Sequence, residues 1–277
     1  MTAQAAAARA PARGSVRPAA ELSALVAIAQ RDVIKLVRDR PRLAVNLAFP
    51  ILLIAGLGEL LQATVGRVTG LSTITLSFTG VLAASLFQSA AAGMISIVED
   101  RENDFSRELF IAPVSRLTLL AGKITGEGAV AMAQGVAITG FAVAFGVRMT
   151  GWQVAGLAAT GLACCLLGAA FGLATIAALP NQRSAMQIFQ FLIIPQYVLG
   201  GVLVPLNGAP RLLSDLAWLM PMRYCVDLTR AVFYAGSPGY GRVVTAGAGV
   251  DLIVIAGLTV LLLSAGAALF NYRERVR

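Results

Sequence analysis

The feature that most constrains this chain is the recurrence of long apolar runs. Six stretches, at about 43–61, 71–98, 117–147, 152–179, 185–204 and 251–270, are predominantly apolar. A helix needs roughly 20 such residues to cross the hydrocarbon of a bilayer. Only helices and closed barrels can cross it, because no water is present there to satisfy a free backbone group. The runs are continuous rather than alternating, so they predict an all-α integral membrane protein with six transmembrane helices. Composition agrees: 57% of residues are hydrophobic and 13% charged, against about 25% charged in a soluble domain. Pro50 lies inside the first run and predicts a kink there. The second, third and fourth runs exceed the thickness of a bilayer, so tilt, extension beyond the lipid or a break is expected.

Orientation follows from Lys and Arg in the short flanks. Arg31, Lys35, Arg38, Arg40 and Arg42 precede the first run, and Arg101, Arg107 and Arg116 lie between the second and third. Arg183 lies between the fourth and fifth, and Arg273, Arg275 and Arg277 follow the sixth. The opposite short loops carry only Arg67 and Arg148. Both termini are therefore expected in the cytoplasm. Residues 1–20 are rich in Ala, Arg and Pro without an apolar core, and read as a disordered tail rather than a cleaved signal peptide. The expected division is a tail at 1–20, an amphipathic interfacial helix at 21–42, and a membrane domain at 43–277.

Several chemistries are excluded by what is missing. There is no histidine, and the three cysteines are Cys164, Cys165 and Cys225. Two are adjacent in an apolar run, which argues against both a disulfide framework and a zinc site. The only Gly-Lys pair, Gly122-Lys123, has Leu117 where a phosphate loop needs glycine and Ile124 where it needs Ser or Thr. Net charge is +8, but a water-soluble nucleic-acid binder would not carry these apolar runs, so no nucleic-acid partner is expected.

Three segments are more than anchor. In 21–42, Leu22, Leu25, Val26, Ala29, Val33, Leu36 and Val37 recur at helical spacing on one face, with Asp32 and most other charges off it. Such a helix lies in the headgroup layer, and contact with a cytoplasmic partner is compatible with that. The loop 99–116 mixes five acids and three arginines with Phe105, Leu109, Phe110 and Ile111. Phe105 and Leu109 are four apart, so a short helix there would present an apolar face; the alternative is a charged turn. The segment 205–250 is too polar to cross again, and its Trp218, Pro221, Tyr224, Asp227 and Arg230 suit an interfacial or shallow re-entrant helix. Asp227 and Arg230, three apart, are spaced to pair.

Charge inside a span is costly and usually functional. Lys123 and Glu127 are four apart on the third run and can neutralise each other; Glu59 lies near the end of the first. Gly168 and Gly172 form a G-x-x-x-G on the fourth, a pattern that lets helices approach closely. Candidate pathway residues are Phe78, Phe87 and Gln88 on the second run and Phe189, Gln190, Gln196 and Tyr197 on the fifth. Stacking and hydrogen bonding by these would suit flat amphipathic ligands, and helix packing is the competing reading.

In order, these parts are an amphipathic helix, two spans, a charged loop ending Ala112-Pro113-Val114-Ser115-Arg116, four more spans, and Pro221-x-x-Tyr224-x-x-Asp227-x-x-Arg230 before the last. Together they resemble the ABC-2-type permease family, most closely its daunorubicin/doxorubicin-resistance type of drug-exporter subunit. The family loop is often E-x-x-x-G-[ST]-x-x-x-L-x-x-x-P-[VL]-S-R, and the later stretch N-P-L-T-Y-x-V-D-x-L-R. The chain departs at Asp104-Phe105-Ser106, where the family has Gly-Thr, and at Met220, where it has Asn.

The resemblance implies a non-enzymatic transport subunit of a bacterial plasma membrane, paired with a second permease as homodimer or heterodimer. Two copies of a separately encoded ATPase would carry ATP and Mg; no cofactor is expected on this chain. Coupling to the ATPase would fall to Glu99, Arg101, Phe105, Arg107, Glu108, Leu109, Pro113 and Arg116. The family's elbow helix would be 21–42, and its re-entrant external helix would lie within 205–234. The cargo would be a hydrophobic or amphipathic small molecule or a lipid. Alternatives are export of a polysaccharide or lipid-linked glycan, and a self-sufficient secondary transporter.

Overall fold

A computed structural model describes residues 18–62, 70–102, 116–177, 179, 181–206 and 209–276, and among them there is no strand. Helix α1 (Pro18–Arg38) is followed after one residue by α2 (Arg40–Leu52). Pro41 falls in the first turn of α2, where its missing N–H costs no hydrogen bond. Pro50 acts further on: a wider π turn over Leu53–Leu57 follows it, before α3 (Gly58–Leu61). Proline removes one rung of the helical ladder, and an i→i+5 turn is a common way to absorb the break. The first apolar run is therefore a broken rod.

Long helices follow: α4 (Thr73–Glu102), α5 (Arg116–Ala144) and α6 (Gly151–Ala177). Gly146, at φ +90°, turns the chain after α5. The start of α6 is capped reciprocally: Gln153 N donates to Thr150 Oγ1 (3.3 Å), and Thr150 N to Gln153 Oε1 (2.8 Å). Helix α7 (Gln182–Leu199) starts at Asn181, whose Oδ1 accepts from Ser184 N at 2.8 Å. Three shorter helices, α8 (Arg211–Ala217), α9 (Pro221–Phe233) and α10 (Tyr240–Val243), lead to α11 (Ala248–Val276).

Among the described residues, four segments are long and apolar enough to cross a membrane: Thr73–Val98, Thr118–Ala144, Gly151–Ala177 and Tyr240–Leu269. The first apolar run contributes only the shorter Leu43–Gly56. In α7 the glutamines 182, 187, 190 and 196 and Arg183 dilute the apolar content.

Helix α4 is the axis of the fold. It packs against α5, α6, α7 and α9, and nearly every side chain from Leu76 to Phe87 is buried. Glycine makes this closeness possible. A Cβ at Gly168 would collide with the carbonyl of Phe87, and one at Gly172 with the carbonyl of Ala91. The G-x-x-x-G of α6 thus lies directly on the backbone of α4. Gly122 and Gly126 of α5 do the same for α1: a Cβ there would meet Leu25 Cα at 3.3 Å and Ala29 Cα at 3.0 Å. Helix α9 is buried along almost its whole length among α4, α6 and α11, so it is part of the bundle.

The Gly168 contact generates a test. Gly168→Val must push α6 off α4, and overpacking of this kind costs about 3 kcal/mol. Gly140→Ala, on α5 with open space where its Cβ would stand, should instead gain about 1 kcal/mol from helix propensity. Thermal unfolding of both variants in detergent measures the difference; equal stability would remove the close-packing argument.

Candidate functional site

Helices α2, α4, α5 and α7, with Leu36 of α1, line an open cavity of about 460 Å³. Its wall is polar for a membrane bundle: Ser85, Gln88, Ser89 and Ser96 from α4, Asn46 from α2, Glu127 and Gln134 from α5, and Gln182 and Gln190 from α7. Phe49, Phe189 and Tyr197 supply aromatic surface. Tyr197 donates its hydroxyl to Gln88 Oε1 at 2.7 Å, and its ring meets that of Phe49 edge-on at 6.0 Å. Gln134 Nε2 donates to the carbonyl of Asn46 at 2.9 Å, tying α5 to α2. The Ser85 hydroxyl is buried and has no hydrogen-bond partner among the described residues.

One end of the cavity is charged. Lys123 Nζ lies 2.9 Å from Glu127 Oε1 on its own helix and 2.9 Å from Asp32 Oδ2 on α1. All three side chains are less than a tenth exposed. Glycine again makes the room: a Cβ at Gly93 of α4 would strike the Glu127 carboxylate, and one at Gly126 would come within 2.9 Å of Asp32 Oδ2. A second cavity, of about 520 Å³, adjoins the first and shares Leu36, Ser96, Glu127 and Val130 with it. Its remaining wall includes Asp32, Lys35, Arg38, Asp39 and Lys123. Glu127 therefore stands between a polar chamber and a charged vestibule under α1.

Of the residues expected to line a pathway, Gln88, Phe189, Gln190 and Tyr197 border the cavity. Phe78, Phe87 and Gln196 are not among its walls. Phe78 meets Phe233 edge-on at 6.0 Å and Phe87 packs on Phe171 at 5.4 Å, because their faces of α4 point to α9 and α6. Gln196 Oε1 accepts from Met222 N at 3.2 Å, holding α7 against α9. The amphipathic pattern puts Asp32 on the polar face of α1; it is buried because its partner is 91 residues away. Of the residues expected to couple to an ATPase, Phe105, Arg107, Glu108, Leu109 and Pro113 lie outside the described residues. For Glu99, Arg101 and Arg116 only the helical backbone is described.

The segment before α11 is fastened by buried polar groups. Asp227 and Arg230 each have a separate partner. The Asp227 carboxylate accepts from Thr245 N (2.9 Å) and Ala246 N (2.7 Å), and Arg230 Nη2 donates to the carbonyl of Val202 at 3.1 Å. Burial holds the Arg230 pKa down to about 10, which leaves the guanidinium charged at neutral pH. Tyr224 donates to the carbonyl of Trp218 at 2.7 Å, and the Arg223 guanidinium stacks 3.7 Å over the Trp218 ring. Burial lowers the Arg223 pKa, and Asp227, Tyr224 and Asp251 oppose that shift. Pro221 opens α9 at its first turn. Among the described residues, no group of three His, Cys, Asp or Glu stands together as a metal site would require.

What this arrangement can do is bind. Its polar groups converge on an open space between helices, where they can hydrogen-bond a bound molecule. The triad also fixes an order of stabilities. Lys123→Met leaves two buried carboxylates without their cation and should cost about 3–5 kcal/mol. Asp32→Asn keeps the Lys123–Glu127 pair and should cost less. The triple change Asp32→Asn, Lys123→Met, Glu127→Gln should recover most of the loss. Unfolding temperatures in nanodiscs check the order; a Lys123→Met chain as stable as the parent would refute it.

No curated protein matches the chain. The profile of the family described as ABC-2 type transporter matches residues 23–234. That match covers more than half of the chain, from α1 through the end of α9, and includes both cavities and the charged triad. With four helices among the described residues apolar enough to cross a membrane, it makes the protein a membrane transport subunit: the chain belongs to the ABC-2 type transporter family.

Proposed function

We propose that the chain is the permease subunit of an ABC exporter that moves a hydrophobic or amphipathic small molecule, of the drug type, or a lipid. The observation that carries this reading is the cavity walled by α2, α4, α5 and α7. Its volume of about 460 Å³ falls among small-molecule sites, which span about 300–1,000 Å³, and is small for a polymer. Its mix of aromatic rings and neutral hydrogen-bonding groups suits an amphipathic cargo. In this scheme a second permease subunit, identical or related, completes the pathway. Two copies of a separate ATPase carry ATP and Mg and drive the change between inward and outward access. The permease contributes only a difference in affinity between those two states.

The topology proposed has six spans, with α2 to α3 as the first and α7 as the fifth, in a bacterial plasma membrane with both termini cytoplasmic. Helix α1 acts as the elbow; Leu22, Val26 and Val33 remain exposed on it, as a helix in the headgroup layer requires. Residues 99–116 form the coupling element, and α8 and α9 lie on the external side.

Two experiments test the proposal. Single cysteines placed at Arg107 and Ser237 should label from opposite sides of the membrane; labelling from one side would refute the six-span topology. With its partner ATPase, the chain in proteoliposomes should drive ATP-dependent cargo uptake. The combined change Phe105→Ala, Glu108→Lys, Leu109→Ala should abolish that uptake and the co-purification of the ATPase, while Arg211→Ala spares both. Full coupling in the triple variant would reduce the loop to a connector.

A further inference from the structure

A buried carboxyl group away from the chamber lacks a donor. Asp251 stands in the first turn of α11, fully buried, and neither of its oxygens has a hydrogen-bond partner among the described residues. The group that faces it at hydrogen-bonding range is a second acceptor, the carboxyl of Asp227 on α9, which is also buried. Asp227 is already supplied. Thr245 N lies 2.9 Å from its Oδ1 and 3.1 Å from its Oδ2, and Ala246 N donates to Oδ2 at 2.7 Å. Two arginines of α9 act on the pair from further away, each engaged elsewhere. Arg223 Nη1 donates to the carbonyl of Ser214 at 3.4 Å while its guanidinium stacks on Trp218, and Arg230 Nη2 donates to the carbonyl of Val202. The other titratable neighbours are Tyr224 and Cys225 on α9 and Cys164 and Cys165 on α6. On α10, Tyr240 Oη lies 3.9 Å from where a Cβ on Gly247 would stand, and Arg242 is turned to Gly70.

From this geometry we infer that Asp227 and Asp251 form a proton-binding site, in which one proton, held on Asp251 and donated to Asp227, ties α11 to α9. The site is separate from the chamber and does not depend on the permease reading. What decides it is the supply of donors, since Arg223 and Arg230 would balance the two acids in charge alone. A cation at a distance eases a buried charge but gives the carboxylate no hydrogen bond. An ionised carboxylate without a donor is among the costliest groups to bury, and two ionised carboxylates in contact repel each other. The N-terminus of α11 favours negative charge nearby, yet none of its amides donates to Asp251. One proton removes both costs. Asp251 becomes an acid whose O–H donates, and Asp227 remains the acceptor it already is for two backbone amides. Those amides favour the charge on Asp227, so the proton belongs to Asp251. Its loss to solvent leaves two negative charges facing each other across the α9–α11 contact. Because Asp227 also holds the Thr245–Ala246 turn, the repulsion falls on the joint between α10 and α11. Proton occupancy thus sets how firmly α11 is held to α9.

The first test is infrared spectroscopy of the full-length chain in nanodiscs at neutral pH, where a protonated carboxyl absorbs apart from ionised carboxylates. The parent should show such a band. It should shift when the aspartate carboxyls carry a heavy carbon isotope, and Asp251→Asn should remove it. Glu127→Gln, a change at another buried acid, should leave it in place. The second test is unfolding as a function of pH. An aspartate in the unfolded chain is ionised at neutral pH, so the folded chain holds one more proton and its stability falls as pH rises. Asp251→Asn keeps a donor toward Asp227 and lacks this dependence. Relative to that variant, the parent's folding equilibrium should weaken by up to about tenfold per pH unit until the proton is lost. The tyrosines and cysteines nearby ionise in both chains, and the comparison removes their contribution. If Asp251→Asn is not recovered folded, the isotope shift in the parent and the spectrum of Asp251→Ser, which retains a hydroxyl donor, decide the matter. An absent band, a band that the isotope leaves unshifted or that survives replacement of Asp251, or parallel pH curves for parent and Asp251→Asn would overturn the inference.

Discussion

Between helices surrounded by lipid, apolar burial supplies little net attraction, since hydrocarbon is as good a neighbour as leucine. What remains is close contact of backbones and the pairing of polar groups away from water, and the fold depends on both. Gly168 and Gly172 bring α6 onto the carbonyls of α4, and Gly122 and Gly126 bring α1 onto α5. Gly93 leaves the space into which the Glu127 carboxylate fits. The glycines decide where helices touch. Where α2 and α7 stand off from α4 and α5, the same packing leaves the chamber.

Polar side chains then fasten segments that are distant in sequence. Lys123 joins α5 to α1, Gln134 joins it to α2, and Gln196 joins α7 to the start of α9. Asp227 holds the turn before α11 through two backbone amides, and Arg230 holds the carbonyl of Val202. A Cβ at Gly80 would collide with that same carbonyl, so the segment after α7 rests on the backbone of α4. Helix α9 is therefore continuous with the bundle that forms the chamber, and the chamber's α7 wall is held to it through Gln196.

Much of this architecture is legible in the residues themselves, and the reason is periodicity. Apolar length predicts the long helices, Pro50 predicts the break in the first run, and the spacing of Lys123 and Glu127 predicts their contact, which is local to one helix. Asp32 is not legible in this way: an amphipathic pattern assigns a charge to solvent, and its partner lies 91 residues away. Phe78 and Phe87 are pathway candidates by residue type, because aromatic side chains suit ligands, yet which face of α4 they occupy is decided by α6 and α9. Asp227 and Arg230 have the spacing of a pair, but backbone groups of other segments take both. Local contacts follow from the sequence; contacts between segments depend on packing that no single run encodes.

The sharing of Lys123 also sets what the cluster costs to bury. The ammonium sits 2.9 Å from one oxygen of Glu127 and 2.9 Å from one of Asp32, so neither carboxylate is buried without a cation beside it. An isolated buried carboxylate would be costly to the fold. A carboxylate that shares an internal cation is less costly to bury. The triad holds α1 to α5, and with Lys35, Arg38 and Asp39 beside it the wall of the vestibule carries three acids and three cations.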